Sequence, residues 1–160
     1  MQRPTADGIQ LLVDPASLER GERGPIWGRV CLAMGEQFFP DAGWTDIVVG
    51  FCVYWLYALR QLASKATTAE TVFFMDGPFR VDIKLTSGDS VELVLVDFHT
   101  PETINHRSEQ RIASLLRNAI TSGQVLLNTA KEQNWVNDQD VRALLGEIRL
   151  ANSLLSPRKR

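Results

Sequence analysis

From Ile47 to Leu59 the chain runs thirteen residues without a charge, IVVGFCVYWLYAL, closed by Asp46 and Arg60. Ile47, Val48, Phe51, Trp55, Leu59 and Leu62 recur at helical spacing. Val49, Val53 and Leu56 fill the remaining faces and leave little polar surface. A helix that is apolar nearly all round is buried on more than one side. The run is shorter than the roughly 20 residues needed to span a bilayer, so it reads as a core helix and not a membrane span. The rest of the chain must therefore wrap this segment. At 160 residues it can do so, since a chain of that size buries about 68–70% of its unfolded surface. Thr45 is expected to cap the helix, with Asp46 in its first turn where a negative charge suits the dipole, and the helix is expected to reach about Lys65.

Strand signals flank the helix. Ile9–Asp14 is a short apolar run. Ile26–Met34 alternates, with Ile26, Val30, Leu32 and Met34 on one face and Trp27, Arg29, Cys31 and Ala33 on the other. Pro15–Gly24 between them reads as a polar loop, and Phe38–Trp44 as a Pro/Gly loop carrying three large aromatics. Beyond the helix, strands are predicted at Thr71–Met75, Phe79–Thr86 and Ser90–Phe98, separated by the turn signals Asp76-Gly77-Pro78 and Ser87-Gly88-Asp89. Such short connections make an antiparallel meander. Thr100-Pro101-Glu102 reads as the opening of a helical region. Its amphipathic stretch runs from Ser108 to about Lys131, with Gly123 placed to bend it. Asn137 reads as the cap of a last helix, Asp138 to about Leu150. The expected fold is α+β: an antiparallel sheet of about five strands, one buried central helix and two C-terminal helices. Residues 1–156 are expected to form one domain, with 157–160 as a basic tail.

Several function classes find no support in the residues. The phosphate-cradling patterns G-x-x-x-x-G-K-[ST] and G-x-G-x-x-G are missing, as is the G-x-S-x-G nucleophile elbow. Net charge is −2, and the one basic run, Pro157-Arg158-Lys159-Arg160, carries no interleaved aromatics, so nucleic acid is not an expected partner. Met1–Gly8 has no apolar signal core, and a cytoplasmic location is expected. Cys31 and Cys52 then read as reduced, inert core thiols. No cofactor and no metal are expected. The densest polar cluster is Asp97, His99, Glu102 and His106. Asp97 could orient His99 as a general base, or the two histidines and Glu102 could ligate a metal, which keeps a small hydrolase or metal-binding enzyme as the alternative. The simpler reading is two loop histidines beside a helix cap.

Charge is uneven along the chain. Residues 36–99 carry a net −5 and residues 100–160 a net +3. These halves could complement each other inside the domain, or the acidic half could be a docking surface for a basic protein, since complementary fields speed encounter and select the partner. The candidate partner-binding residues are Phe39, Asp41, Trp44, Asp46, Asp76, Asp89 and Asp97. Aromatics in a loop serve either as a lid over the core or as anchors in a partner's pocket, and both readings stand for Phe38–Trp44.

The cadence from Gly35 to Val81 is G-E-Q-F-F-P-D-A-G-W-T-D, then a helix with V-Y-W-L-Y-A-L, then F-F-M-D-G-P-F-R-V. It resembles the small immunity-type proteins encoded beside bacterial polymorphic toxins. That resemblance implies a cytosolic single-domain protein that binds and blocks a cognate toxin or effector, without chemistry of its own. It carries over no functional residues, because the class shares no binding motif. The expected function is thus a binding protein rather than an enzyme, acting by occluding a toxin's active site. A homodimer that buries one side of the apolar helix is compatible with this reading.

Overall fold

A computed structural model describes residues 8–157. Eight strands and three helices follow in the order β1 (Ile9–Arg20), β2 (Ile26–Met34), β3 (Gln37–Phe39), β4 (Thr45–Asp46), α1 (Val48–Ala63), β5 (Ala69–Phe73), β6 (Phe79–Leu85), β7 (Ser90–Asp97), β8 (Thr103–Arg111), α2 (Ile112–Glu132) and α3 (Gln139–Leu155). The architecture is α+β and antiparallel, with a buried central helix and two C-terminal helices as expected. The strands form two four-stranded sheets rather than one of about five. In one, β2 pairs with β1, β3 and β4; the other is the meander β5-β6-β7-β8.

Helix α1 holds the two sheets together. Its residues Val48, Val49, Phe51, Cys52, Trp55, Leu56, Leu59 and Leu62 are buried. They join one core with Leu11, Val30 and Leu32 of the first sheet and Val72, Val81, Ile83, Leu93 and Leu95 of the second. Leu115, Leu116, Ala119 and Leu126 of α2 and Leu144 and Ile148 of α3 complete it. This is the burial on several sides that the uncharged run requires. Gly123 sits where α2 meets α3: a Cβ there would lie 2.9 Å from Ile148 Cδ1, so its function is close helix approach. The ion pair Arg60–Glu147, Nε to Oε2 at 2.9 Å, ties α1 to α3.

Four local expectations are corrected. Strand β1 runs through Pro15 to Arg20, where a loop was expected. Its register shifts between Asp14 and Glu19, and side chains bridge the gap. Ser17 Oγ donates to the Asp14 carbonyl at 2.6 Å and accepts from the Arg29 amide at 2.8 Å. Thr45 does not cap α1, and Asp46 is not in its first turn. Both lie in β4 against Gly28 and Arg29, and the helix starts at Val48. The chain from Thr103 to Arg111 is a strand paired along β7, so the amphipathic helix begins at Ile112 and not at Ser108. The half-buried positions of β8 are His106, Ser108 and Gln110, so its period of two carries no hydrophobic signal. Finally, Asp138 and not Asn137 caps α3, its Oδ1 accepting from the amides of Asp140 and Val141. The last three residues of the basic tail lie outside the described residues.

Candidate functional site

Two connections meet at one end of the molecule: the segment 40–47 leaving the first sheet, and the turn 74–79 between β5 and β6. Phe39 is 1% exposed and packs edge-to-face on Phe74 and Phe79, with ring centroids 5.7 and 5.6 Å away. Trp44 lies edge-to-face on Phe79 at 5.0 Å. Its indole covers Gly77, whose φ of +76° suits glycine and where a Cβ would come within 2.7 Å of Trp44 Cη2. Phe38 and Phe39 belong to β3 rather than to a loop, and Phe39 and Trp44 fold back as a lid, with Phe38 half-buried against Leu12, Cys31 and Ala33.

Asp46 locks this junction. It is fully buried. Its Oδ1 accepts from the Ile47 amide at 2.7 Å, and its Oδ2 accepts from Trp44 Nε1 and from the Asp76 amide, both at 3.2 Å. Burial pushes its carboxyl above the ordinary value, while the N–H donors of Trp44, Asp76, Ile47 and Met75 pull the other way. Phe39 and Asp46 were candidate partner contacts; both are enclosed, so neither offers surface to a partner.

Other candidates do reach the surface at this end. Asp41 is exposed and accepts the Gly43 amide at 2.8 Å. Asp76 is exposed at the tip of its turn. Asp97 stands opposite Phe79 at the end of β7, and its Oδ1 lies 2.7 Å from His99 Nδ1. The His99 amide N–H, followed by its ring, holds the Asp97 carboxyl below the usual range. Asp89 is not part of this group. It sits on the β6–β7 turn, beyond the seven residues of β6, about 23 Å along the strand. There it lines a separate hollow with Lys65, Leu116 and Leu154.

The polar cluster of the sequence is divided. Glu102 forms a two-point pair with Arg80, at 3.1 and 3.2 Å. His106 lines a hollow with Met34, Gln37 and Phe38, while His99 packs over Phe79 at 6.2 Å. Among the described residues, no group of three or more His, Cys, Asp or Glu side chains is arranged to hold a metal ion. Cys31 and Cys52 are buried, and burial pushes their thiols up to about 11 and about 12.

A further surface feature lies between α1 and β5, among residues that were not candidate partner contacts. Tyr54 and Tyr57 point outward from α1, 56% and 42% exposed, and Phe73 and Met75 project beside them at 53% and 43%. With Ala58, Glu70, Thr71 and Val72 they line a groove of about 390 Å³ between α1 and β5. That volume lies within the range of about 300–1,000 Å³ typical of ligand pockets. Single exposed apolar side chains are ordinary, but four gathered on one groove form a patch that marks interaction sites. The i, i+3 spacing of the two tyrosines, and the alternation of Phe73 and Met75 with buried Val72 and Phe74, carried this signal in the sequence.

The groove continues into the acidic turn. Met75 connects it to Asp76, and Glu70 stands inside it, held by Thr67 Oγ1 at 2.8 Å. Both nearby arginines are already neutralised. Arg60, which covers the Tyr57 ring at 5.4 Å, is paired with Glu147, and Arg80 with Asp82 and Glu102. The chain matches no family model, and comparison with curated proteins and with solved structures returns no match. No helix among the described residues is long and apolar enough to cross a membrane.

Proposed function

We propose that this chain is a binding protein of the immunity type, which neutralises a cognate bacterial toxin in the cytoplasm by docking on it and occluding its active site. One observation carries the reading: exposed Tyr54, Tyr57, Phe73 and Met75 lie beside the carboxylates of Glu70 and Asp76, which form no ion pair among the described residues, while the neighbouring arginines are paired internally. Aromatic anchors ringed by polar groups are the composition of protein-binding hot spots. The net −5 of residues 36–99 adds a long-range field that favours a basic partner. A toxin that attacks nucleic acid presents such a basic groove. On this reading Asp41, Asp76 and Asp97 form the acidic margin, Trp44 is part of the lid beneath it, and the α1–β5 groove supplies the anchors. Asp89 lies too far away to share the same contact.

The test is capture of a partner by the tagged protein at low salt and at about 0.5 M salt, where the Debye length falls to a few ångströms. A toxic enzyme that is bound one-to-one, inhibited on binding and released by salt supports the reading. A partner whose activity persists in the complex contradicts it. The runner-up is a small hydrolase, favoured by the 2.7 Å Asp97–His99 contact, which fixes an imidazole tautomer. It predicts a hydrolytic activity that His99→Ala abolishes with folding intact.

A further inference from the structure

Strand β5 is an edge strand, and the described structure gives it a partner on one side only. The ladder fixes which backbone groups are free. The Leu85 amide donates to the Thr68 carbonyl at 2.9 Å, and the Phe74 amide to the Phe79 carbonyl at 3.0 Å. Antiparallel pairing alternates between hydrogen-bonded and non-bonded pairs. Counting inward from those two bonds, Glu70 and Val72 face β6, so the N–H and C=O groups of Ala69, Thr71 and Phe73 face away from it. The opposite sheet treats its edge differently. On β1, the Leu11 amide donates to Asn118 Oδ1 at 2.7 Å, and Ser122 Oγ donates to the Leu11 carbonyl at 2.7 Å, so α2 closes that edge. Strand β5 lacks three of the devices that blunt an edge: its sequence AETVF has no Pro and no Lys, and its pairing with β6 has no bulge, so its short length and the single charge of Glu70 are what guard it.

The groove described above runs along this open edge, with Tyr54, Tyr57 and Ala58 of α1 as its far wall. We infer that β5 accepts an added strand from the partner, an extended basic segment whose backbone pairs with Ala69, Thr71 and Phe73 and which sets a Lys or Arg side chain among Tyr54, Tyr57 and Glu70. Strand addition supplies affinity through the main chain and specificity through pockets for alternate side chains. Charge selects the occupant. The charged residue lining the groove is Glu70, Asp76 stands at its Met75 end, and Lys84, opposite Ala69, lies at the other. A cation between the Tyr54 ring and the Glu70 carboxylate gains from both the ring quadrupole and the ion pair, while Arg60 already covers the Tyr57 ring. This inference rests on the docking reading of the same surface and names the chemistry of what docks.

The experiment titrates the isotope-labelled full chain with two synthetic peptides of about eight residues, one alternating Val and Lys, the other Val and Glu. Amide exchange and chemical shifts are followed residue by residue. Protection of the Ala69, Thr71 and Phe73 amides by the Lys peptide and not by the Glu peptide is the expected result. Thr71→Pro removes an outward N–H without breaking a backbone bond to β6, as proline is tolerated on an edge whose N–H faces solvent, and it also removes the exposed Thr71 Oγ1–Asp82 bond of 3.0 Å. It should abolish that protection, whereas Thr71→Val, which loses only the side-chain bond, should keep it. Glu70→Gln should weaken binding of the Lys peptide at least severalfold and serves as the second variant if Thr71→Pro unfolds. Equal response to both peptides, or none, overturns the inference. So does protection of the same amides that grows with protein concentration and needs no peptide, since a second copy would then own the edge. A salt-sensitive toxin partner that persists in Thr71→Pro would refute strand addition while leaving the immunity reading standing.

Discussion

Asp46 is assigned to the interior, and truncating it gives a quantitative test. In Asp46→Ala the Trp44 indole N–H and the Ile47 and Asp76 amides lose their acceptor together. A buried donor left unsatisfied costs about 1–3 kcal/mol. Trp44 is half-buried, so water can satisfy part of this set, and the expected loss is about 3–5 kcal/mol. In Asp46→Asn one oxygen remains, and its amide group faces at least one N–H that needs an acceptor. The expected loss is about 1–3 kcal/mol. Urea unfolding followed by tryptophan fluorescence at neutral pH measures both. The pH dependence tests the cause. Burial raises the folded-state value of this carboxyl above that of the unfolded chain, so the folded state binds its proton more tightly. Stability contributed by Asp46 is therefore present in full below the unfolded value and declines as pH rises through the raised folded value. The advantage of the native chain over Asp46→Asn should be largest in acid and shrink across that window. An Asp46→Ala variant within about 0.5 kcal/mol of the native chain would refute the junction role. An advantage that grows with pH would show that the N–H donors, and not burial, set the carboxyl's behaviour.

Gly77→Ala should destabilise by more than about 1 kcal/mol, because φ is +76° and the added Cβ meets the Trp44 ring; the urea midpoint reads it. Gly146→Ala, exposed within α3 with nothing within 4 Å of its Cβ, should stabilise by about 0.5–1 kcal/mol and raise the same midpoint. Arg60→Ala should cost about 1.5–3 kcal/mol by leaving the partly buried Glu147 carboxylate unpaired, and the double variant with Glu147→Ala should recover part of that loss in a double-mutant cycle. Cys31 and Cys52 should resist a thiol-specific chromogenic reagent at neutral pH and react only as fast as the chain unfolds, since burial suppresses both thiolates.

The sequence makes the helices and the meander legible because burial there follows a period. In α1 the apolar residues leave only Tyr54 and Tyr57 well exposed, and β6 alternates Val81 and Ile83 inward with Lys84 outward. Where polar residues occupy half-buried positions, the period is silent. Strand β8 places His106, Ser108 and Gln110 toward the molecule, so its helical reading had no hydrophobic alternation to correct it. Asp46 misled for a related reason. An acid just before an apolar helix has the appearance of a first-turn charge, and only the return of the 74–79 turn brings the Asp76 amide, which joins the Trp44 indole two residues away in enclosing it. The candidate site was legible in part. Asp41 and Asp76 are exposed as acids at loops and turns usually are, but their neighbourhood with Tyr54 and Phe73 depends on α1 packing beside β5, a contact between segments no local pattern connects.

The most direct test of the docking surface compares partner capture by three forms of the chain. One is native, one carries Tyr54→Ser with Phe73→Ser, and one carries Asp89→Lys at the far turn. Both double-variant positions are about half exposed, so the fold should tolerate them. The groove assignment predicts that the Tyr54/Phe73 form loses the partner while Asp89→Lys keeps it in native stoichiometry. Retention by the groove variant together with loss in Asp89→Lys would move the interface to the other end of the molecule and contradict the assignment.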